Sequence, residues 1–316
     1  MIFLYILAIA VLALLLFLAV NARKTVRFSA QAEAAVPPLG QFVDISTGRL
    51  HFVDQGSGAV IVMIHGLGGQ LRHFTMDLSE RLAADHRVIV LDRPGMGYSN
   101  RPDNAPASLD AQAGYVIELM DKLGIEDAVI VGHSLGGAIS LALALRAPRR
   151  VRALALLAPL TRAKQDGGAE VFKGFEIRTN WMRRLIANTL AVPLSIRNQQ
   201  QTIDQVFGPD PVPEAYTVKG GGLLSLRPKT FFHASRDYVA SAGIADQQDR
   251  YGALKMPVGI LFGTQDRILD HREQGTELVQ QFPDFQIEYI DGAGHMLPVT
   301  YPERCESFIR EVAARC

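Results

Sequence analysis

The segment Gly132-His133-Ser134-Leu135-Gly136 decides the fold that this sequence predicts. It follows an apolar, β-branched run at residues 128–131 and leads into an Ala- and Leu-rich stretch at residues 138–147. Gly-x-Ser-x-Gly between a strand and a helix is typical of a sharp turn that holds a serine hydroxyl at the end of a buried sheet. Side chains in place of Gly132 and Gly136 would crowd the strand and the helix in so tight a turn. We therefore expect Ser134 to follow a central strand directly, with a helix beginning behind it.

Apolar runs and helical stretches alternate along most of the chain, which indicates a mostly parallel sheet with helices on both faces. Several runs are continuously apolar, as in strands that are buried on both faces. The turn-forming segment Ser46-Thr47-Gly48-Arg49 joins the first two strands as a hairpin. The predicted strands are residues 42–45, 50–53, 60–64, 87–91, 129–131, 154–157, 258–262 and 287–290. The predicted helices are residues 74–84, 109–123, 138–147, 273–281 and 302–314.

The alternation stops between residues 161 and 254, where helical pieces are interrupted by a Pro-rich segment and by Gly220-Gly221-Gly222. Because the strand pattern resumes afterwards, we interpret residues 161–254 as a helical cap inserted into a core of residues 39–160 and 255–316. One cap helix is amphipathic: either it packs on the core, or its surface touches lipid headgroups. Its predicted apolar face carries Trp181, Leu185 and Ile186, and its opposite face carries Arg183, Arg184 and Asn188.

Residues 1–20 form an uninterrupted apolar run without a charged side chain. About 20 apolar residues span the hydrocarbon core of a bilayer, so we expect a transmembrane helix at residues 1–22 and a linker at residues 23–38. A cleaved signal peptide is the alternative, but this run is longer than a usual signal sequence and no basic residue precedes it. The charges of Arg23, Lys24 and Arg27 favour a cytoplasmic globular domain by the positive-inside rule, and a periplasmic orientation stays open.

The amino-acid composition narrows the classes of binding partner. The 316 residues include 32 basic and 32 acidic ones, and this zero net charge argues against a nucleic-acid partner. Cys305 and Cys316 fall in or beside the last predicted helix, too far apart to form a disulfide, and we expect free thiols. Their spacing is not that of metal ligands, and the sequence implies neither a metal nor an organic cofactor. The apolar N-terminal run has no Gly-x-x-x-Gly pattern, so no oligomeric state is assigned.

Three further motifs each follow a predicted strand. They are His65-Gly66-Leu67-Gly68-Gly69, Gly263-Thr264-Gln265-Asp266 and Gly292-Ala293-Gly294-His295. The carboxyl ends of parallel strands meet at one edge of a sheet, and ligands bind at that edge in open α/β sheets. We therefore expect all three loops to gather around Ser134.

These residue types fit nucleophilic catalysis, because a serine attacks only when a base takes its proton and an acid orients that base. Ser134 is the predicted nucleophile, His295 the base and Asp266 the orienting acid. Asp270 is a competing acid nearby, but it lies further into its loop or at the start of the next helix.

Backbone N–H groups are the predicted stabilisers of a developing oxyanion. One belongs to the residue after the nucleophile, Leu135, and the other to Leu67 in the loop after residues 60–64. The residues predicted to shape these loops are His65, Gly66, Gly68, Gly132 and Gly136. We expect His65 to play an architectural role rather than an acid–base role.

Five motifs together resemble the α/β-hydrolase family: residues 65–69, 92–99, 132–137, 263–266 and 294–295. The resemblance runs from residue 39 to residue 316. It implies an α/β-hydrolase fold, a triad in the chain order Ser134, Asp266, His295, and a lid where residues 161–254 lie. It gives the segment that starts at Asp92 a structural role. Members similar to epoxide hydrolases and haloalkane dehalogenases carry an Asp nucleophile, and Ser134 argues against those chemistries.

A capped serine hydrolase with an N-terminal anchor is similar to the single-pass monoacylglycerol lipases and the bacterial phospholipases A. The resemblance implies a membrane-anchored carboxylester hydrolase that cleaves lysophospholipid, phospholipid or monoacylglycerol. Two alternatives stay open. The same triad serves C–C bond hydrolases, lactonases and perhydrolases, and the same fold serves non-catalytic ligand receptors.

Overall fold

The computed structural model describes residues 1–163 and 170–316, with the backbone alone at Glu170 and Val171. Eight strands of the described residues form a single sheet, in the spatial order β1-β2-β4-β3-β5-β6-β7-β8. The strands are β1 Gln41–Ile45, β2 Gly48–Gln55, β3 Ala59–Ile64, β4 His86–Leu91, β5 Ala128–His133, β6 Val151–Leu157, β7 Val258–Gly263 and β8 Gln286–Ile290.

The sheet is parallel from β4 through β8 in this spatial order, and its other edge is antiparallel, because β2 runs opposite to both β1 and β4. Burial explains the difference. Every residue of β5 and β7 is buried, as their continuous apolar runs predict, whereas β1 is largely exposed. The predicted mostly parallel sheet and its edge hairpin are confirmed.

The α-helices cover both faces of this sheet. They are α1 Ile2–Ala35, α2 Arg72–Thr75, α3 Leu78–Leu82, α4 Leu109–Lys122, α5 Leu135–Arg146, α6 Asn180–Ile186, α7 Val192–Arg197, α8 Gln199–Val206, α9 Pro228–Ala240, α10 Ile244–Gln248, α11 Glu277–Gln281, α12 Leu297–Thr300 and α13 Pro302–Ala313. Short 3₁₀ helices lie at Pro148–Arg150, Glu170–Phe175, Glu214–Thr217, Gly222–Ser225, Ser241–Gly243 and Tyr251–Ala253, and π-helical turns at Ala187–Ala191 and Arg272–Thr276.

Two predicted helices differ from the observed ones. The helix predicted at residues 74–84 is split into α2 and α3, because the backbone of Asp77 leaves the helical region with φ −157°. The helix predicted at residues 273–281 begins as a π-helical turn. There the hydroxyl of Thr161 donates to the carbonyl of Gln274 at 2.6 Å, and a side chain that takes up a helix carbonyl disrupts the regular hydrogen-bond ladder.

The N-terminal helix is longer than the predicted span. α1 continues to Ala35 as one helix of 34 residues, so most of the linker expected at residues 23–38 is helical. Among the helices of residues 1–163 and 170–316, α1 alone is long and apolar enough to cross a membrane, a test that a signal sequence also passes. Residues 2–17 of this helix are all exposed.

Helices α6 to α9 lie between β6 and β7, in the segment predicted as the cap. The end of that segment behaves differently. Ile244, Tyr251 and Leu254 are buried in the main hydrophobic core, and the side chain of Gln247 donates to the carbonyl of Ala138 on α5 at 3.0 Å. Residues 164–169 of the predicted cap lie outside the described residues.

A buried ion pair network joins the cap to the core. Asp237 on α9 accepts a hydrogen bond from Arg93 at 2.7 Å and from Arg101 at 2.7 Å, and its side chain is fully buried, as is that of Arg101. Burial lowers the pKa of Arg93, and the carboxylate of Asp237 opposes that shift. Each charge in the network is therefore tolerated only because the others are present.

We expect Asp237→Ala to lower the free energy of unfolding by about 3–5 kcal/mol, because it leaves two buried arginines without a counter-ion. Urea unfolding of the full chain in detergent measures the change. Asp103→Ala is the matched control, since it removes the exposed partner of Arg184 and should cost less than about 1 kcal/mol. Equal losses in the two variants would contradict the role of the buried network.

Candidate active site

Ser134 lies in a strained turn between β5 and α5. Its φ of 55° and ψ of −122° are unusual for a residue with a side chain. Three hydrogen bonds hold this conformation: its N–H donates to Leu157 at 3.1 Å, and its carbonyl accepts from Gly137 at 2.8 Å and from Leu160 at 3.0 Å. The strain is thus maintained by β6 and by the residues that follow it.

The two glycines of the motif are required by close packing. A Cβ on Gly132 would lie 2.6 Å from the carbonyl oxygen of Gly136, and a Cβ on Gly136 would collide with the carbonyl oxygen of Ile64 at the end of β3. Their predicted shaping role therefore has a direct geometric basis. The same close approach sets the loop after β3 beside Ser134, so that a Cβ on Gly66 would meet the Ser134 Oγ at 3.3 Å.

Asp266 and His295 come together as the sequence predicts. The distance from His295 Nδ1 to Asp266 Oδ2 is 2.6 Å, and both side chains are buried. The other carboxylate oxygen accepts the amides of Ile268 at 2.8 Å and Leu269 at 3.0 Å. These amides stabilise the ionised carboxylate, which in turn favours a proton on Nδ1 and leaves Nε2 of His295 as the acceptor.

The competing acid is placed elsewhere. The side chain of Asp270 is 62% exposed, and it accepts the amide of Arg272 at 2.7 Å in a surface turn. Asp266, and not Asp270, is therefore the carboxylate that pairs with His295.

His133 connects the serine turn to the histidine loop. Its Nε2–H donates to the backbone carbonyl of His295 at 3.0 Å, and the two rings lie 4.9 Å apart. Among the hydrogen bonds of the described residues, none joins Ser134 Oγ to His295, and catalytic hydrogen bonds of this kind often tighten only with substrate. Nothing in the sequence singles out His133, because it occupies a variable position of the motif.

The loop of His65 and Gly66 is held by Arg93. The imidazole of His65 donates through Nδ1 to Gly66 O at 2.9 Å and accepts the amide of Arg93 at 3.0 Å. The guanidinium of Arg93 adds hydrogen bonds to His65 O at 3.0 Å and to Gly66 O at 2.9 Å. These contacts are consistent with the architectural role predicted for His65.

This arrangement fixes the direction of one predicted oxyanion donor. Since C=O and N–H of a trans peptide point in opposite directions, the donors on Gly66 O turn the N–H of Leu67 away from Arg93. Within the described residues, neither Leu67 N–H nor Leu135 N–H has a hydrogen-bond acceptor. Leu135 is the first residue of α5, where free N–H groups and the helix dipole favour negative charge.

The segment 92–99 is structural, as the resemblance implies. One carboxylate oxygen of Asp92 accepts the amide of Leu71 at 2.7 Å, and the other accepts the amide of Tyr98 at 2.7 Å and pairs with His51 at 2.6 Å. Asp92 therefore ties three segments together below the loop of His65.

The cap also contacts the histidine loop. The carboxylate of Asp210 accepts the amide of Gly294 at 2.7 Å and the hydroxyl of Tyr301 at 2.6 Å. Phe207 packs on Met296 and Val299 in a small apolar cluster. The position of His295 thus depends on cap residues that the sequence could not assign to it.

The site is covered. His295 is 4% exposed and Ser134 is 9% exposed. A cavity of about 20 Å³ lies between Gly68, His73 and Tyr216, large enough for one water molecule. The side chains of Ser134 and His295 are therefore largely shielded from solvent.

Several histidines near these loops are buried in the neutral form. Burial lowers the pKa of His73 to about 4, and burial together with Arg101 lowers that of His233 to about 3. Burial also lowers the pKa of His65 and of His133.

We expect stability to fall as the pH is lowered from about 6.5 towards 4, since these histidines bind protons in the unfolded chain first. His73 alone would contribute up to about 3 kcal/mol over that interval. Urea unfolding at several pH values checks this. His73→Gln should give a shallower pH dependence than the wild-type chain, and an unchanged slope would refute the assignment.

Known proteins resemble the chain to different extents. The 2-hydroxymuconate semialdehyde hydrolase of Pseudomonas putida is 29% identical over 294 residues, which span 88% of this chain and 96% of that protein. The dihydrolipoyllysine-residue acetyltransferase component of the acetoin cleaving system of Cupriavidus necator is 35% identical over 189 residues, which span 58% of this chain. The chain covers only half of that relative, 50% of its length.

A solved structure shows the same fold. A thermophilic esterase from Thermogutta terrifontis superposes with a TM-score of 0.64 at 24% identity, covering 87% of this chain and 98% of that one. The family model described as alpha/beta hydrolase matches residues 61–308, well over half of the sequence. The chain belongs to the alpha/beta hydrolase family.

Proposed function

We propose that this protein is a membrane-anchored serine carboxylester hydrolase that cleaves lipid-derived acyl esters. One observation carries the chemistry: Ser134 stands in a strained turn at the edge of the sheet where His295 pairs with Asp266. For a serine hydrolase that is anchored in a membrane, the proposed substrate is a lysophospholipid, a phospholipid or a monoacylglycerol.

The proposed reaction is acyl transfer in two halves. Ser134 Oγ attacks the ester carbonyl carbon while its proton passes to His295 Nε2, and the carbonyl π electrons move onto oxygen. Collapse of this intermediate breaks the bond to the leaving alcohol, which takes the proton from His295. Water then attacks the acyl-enzyme by the same route, releasing the carboxylic acid and restoring Ser134.

The amides of Leu67 and Leu135 are the donors proposed for the oxyanion. Neither has another acceptor among the described residues, so each is free to bind charge that develops on the carbonyl oxygen. A preorganised donor of this kind contributes about 3–4 kcal/mol to the transition state. Arg93 serves as a positioning residue, because it acts on Leu67 only through the carbonyl of Gly66.

The lipid substrate is supported by α1. An N-terminal helix that is apolar from its start at Ile2 to Val20 is long enough to span the hydrocarbon core of a bilayer. A hydrolase held at that surface meets esters of lipids at high local concentration. The charges at Arg23, Lys24 and Arg27 favour a cytoplasmic active site, with a periplasmic one as the alternative.

C–C bond hydrolysis is the second candidate. It is favoured by the 2-hydroxymuconate semialdehyde hydrolase of Pseudomonas putida, which matches 88% of this chain at 29% identity. Lactone opening and perhydrolysis use the same kind of triad. A non-catalytic receptor is the least favoured alternative, because serine, histidine and aspartate are all retained.

Ser134→Ala should abolish hydrolysis of p-nitrophenyl esters and of monoacylglycerol, lowering the rate by several orders of magnitude. A fluorophosphonate probe should label the wild-type chain and not the variant. Labelling without turnover of any ester, lactone or vinylogous diketone would favour the receptor. Faster cleavage of the diketone than of every lipid ester would favour the C–C bond hydrolase.

Arg93→Lys should lower kcat about tenfold or more with little change in KM, which corresponds to at least about 1.4 kcal/mol of lost transition-state stabilisation. Lysine keeps the charge beside Asp237 but lacks the planar second N–H that reaches Gly66. Arg87→Lys, in the partly exposed pair with Asp54, is the control. Similar kcat values for the two variants would show that Arg93 does not position the oxyanion donor.

A further inference from the structure

We propose that one face of the cap lies in the membrane interface and is held there by direct packing against the anchor helix. This face, which we call the cap ledge, is formed by Trp181, Met182, Leu185 and Leu194. Its occupant is the headgroup and upper acyl region of a lipid bilayer. The proposal rests on the membrane part of the proposed function and not on the reaction at Ser134.

The first argument is a continuous contact stripe on α1. Asn21, Thr25 and Ala32 are buried, and the residues between them on the same side are partly buried. These positions recur at helical spacing, so they line one face of the helix. That face lies against the π-helical turn Ala187–Ala191 and against α7 of the cap. The hydroxyl of Thr25 donates to the carbonyl of Thr189 at 3.2 Å.

The end of α1 is also tied to the globular domain. Tyr98 donates to the carbonyl of Val36 at 2.5 Å, and Arg72 donates to the carbonyl of Pro37 at 2.6 Å. Arg227, whose side chain is buried, lies 3.5 Å from Glu33. A helix fixed at the cap and again at its end sets the orientation of the domain relative to the membrane.

The second argument is the position along α1 at which its contact with the cap begins. Twenty residues of helix extend over about 30 Å, the thickness of the hydrocarbon core. The apolar run ends at Val20, and the contact with the cap begins at Asn21. The cap elements that pack on this part of α1 therefore lie at the boundary between hydrocarbon and headgroups.

The third argument is the exposure of large apolar side chains on α7 and on α6, the helix that leads directly into the π-helical turn packed on α1. Trp181 is 67% exposed, Leu185 is 45% exposed and Leu194 is 47% exposed. Met182 is exposed as well. Tryptophan is enriched where membrane meets water, because its ring is amphipathic. A ledge of this kind next to an anchor helix fits lipid better than bulk water.

The helix that carries Trp181 is held in this orientation by Arg183. The guanidinium of Arg183 is buried and donates to Ser235 on α9 at 3.0 Å and to Asn180 at 2.7 Å. The prediction that Arg183 lies on the outer polar face of the helix, together with Arg184 and Asn188, is therefore wrong. With Arg183 turned inwards, Trp181 and Leu185 are turned outwards, and the alternative of a surface helix that touches lipid is the one that the geometry favours.

The fourth argument is charge. Residues 177–203 of the cap contain four arginines and no acidic residue. Of these, Arg178, Arg184 and Arg197 are exposed. On α1, Arg23 and Lys24 are exposed at the same level. Basic side chains that surround an apolar ledge are attracted to anionic headgroups.

Trp181 makes this proposal directly measurable, because it is the only tryptophan of the 316 residues. The full chain is reconstituted into vesicles of phosphatidylcholine and phosphatidylglycerol, and Trp181 emission is recorded. Phosphatidylcholine brominated at shallow or deep acyl positions reports contact with lipid, and acrylamide reports contact with water. We expect a blue-shifted emission, strong quenching by the shallow bromolipid and weak quenching by acrylamide.

Two results would overturn the proposal. Emission typical of water, with strong acrylamide quenching and no bromolipid quenching, would place the ledge in solution. A blue shift that depends on the protein-to-lipid ratio without bromolipid quenching would show that a second copy of the chain covers it. Neither readout requires turnover, so failure of the proposed reaction leaves this test intact.

A pair of variants links the ledge to activity. Leu185→Glu should lower hydrolysis of monoacylglycerol in vesicles at least fivefold and leave hydrolysis of a soluble short-chain ester unchanged. Tyr289→Glu is the control, since it places the same charge at a 39% exposed aromatic position on β8 of the core. Equal effects of the two variants on the vesicle assay, or none from Leu185→Glu, would contradict the role of the ledge.

Discussion

The turn at Ser134 is the constraint on which the rest of the site depends. Its positive φ is held by hydrogen bonds to Leu157 and Leu160, so β6 must lie beside β5. The close approach of Gly136 to the carbonyl of Ile64 likewise requires β3 on the other side. A strained residue persists only where its surroundings over-determine it. Here the same packing that holds the serine also brings the loop of His65 next to it, so that the nucleophile and one oxyanion donor are positioned by a single arrangement of three strands.

Two carboxylates of the cap contact the loops around Ser134 and His295. Asp237 holds Arg93, which turns the peptide that carries the Leu67 N–H, and Asp210 holds the amide of Gly294 beside His295. Both contacts end on backbone groups next to residues proposed for catalysis. A cap that merely covered the site would not need them. The cap therefore holds the peptide of the proposed oxyanion donor and the loop of the proposed base at the same time.

Much of the fold could be predicted because local patterns determine it. Continuous apolar runs locate the buried strands, and polar residues after those runs locate Ser134, Asp266 and His295. The predictions fail where distant residues decide the outcome. Gln274 is drawn into a π-helical turn by Thr161, which lies 113 positions away, and Arg93 meets its counter-ion 144 positions away. The segment taken for a linker is rich in alanine, which favours a helix, and its packing against the cap extends α1 to Ala35.

The length of α1 bears on the proposed membrane anchor. A flexible linker would only raise the concentration of the domain near a bilayer, whereas a continuous helix packed on the cap also fixes its orientation. The ester bonds of glycerolipids lie between headgroup and acyl chain, which is the level proposed here for the cap ledge. A soluble substrate gains nothing from this arrangement. The contacts that tie α1 to the cap thus support the proposed lipid ester over a small soluble diketone, independently of the chemistry proposed for Ser134.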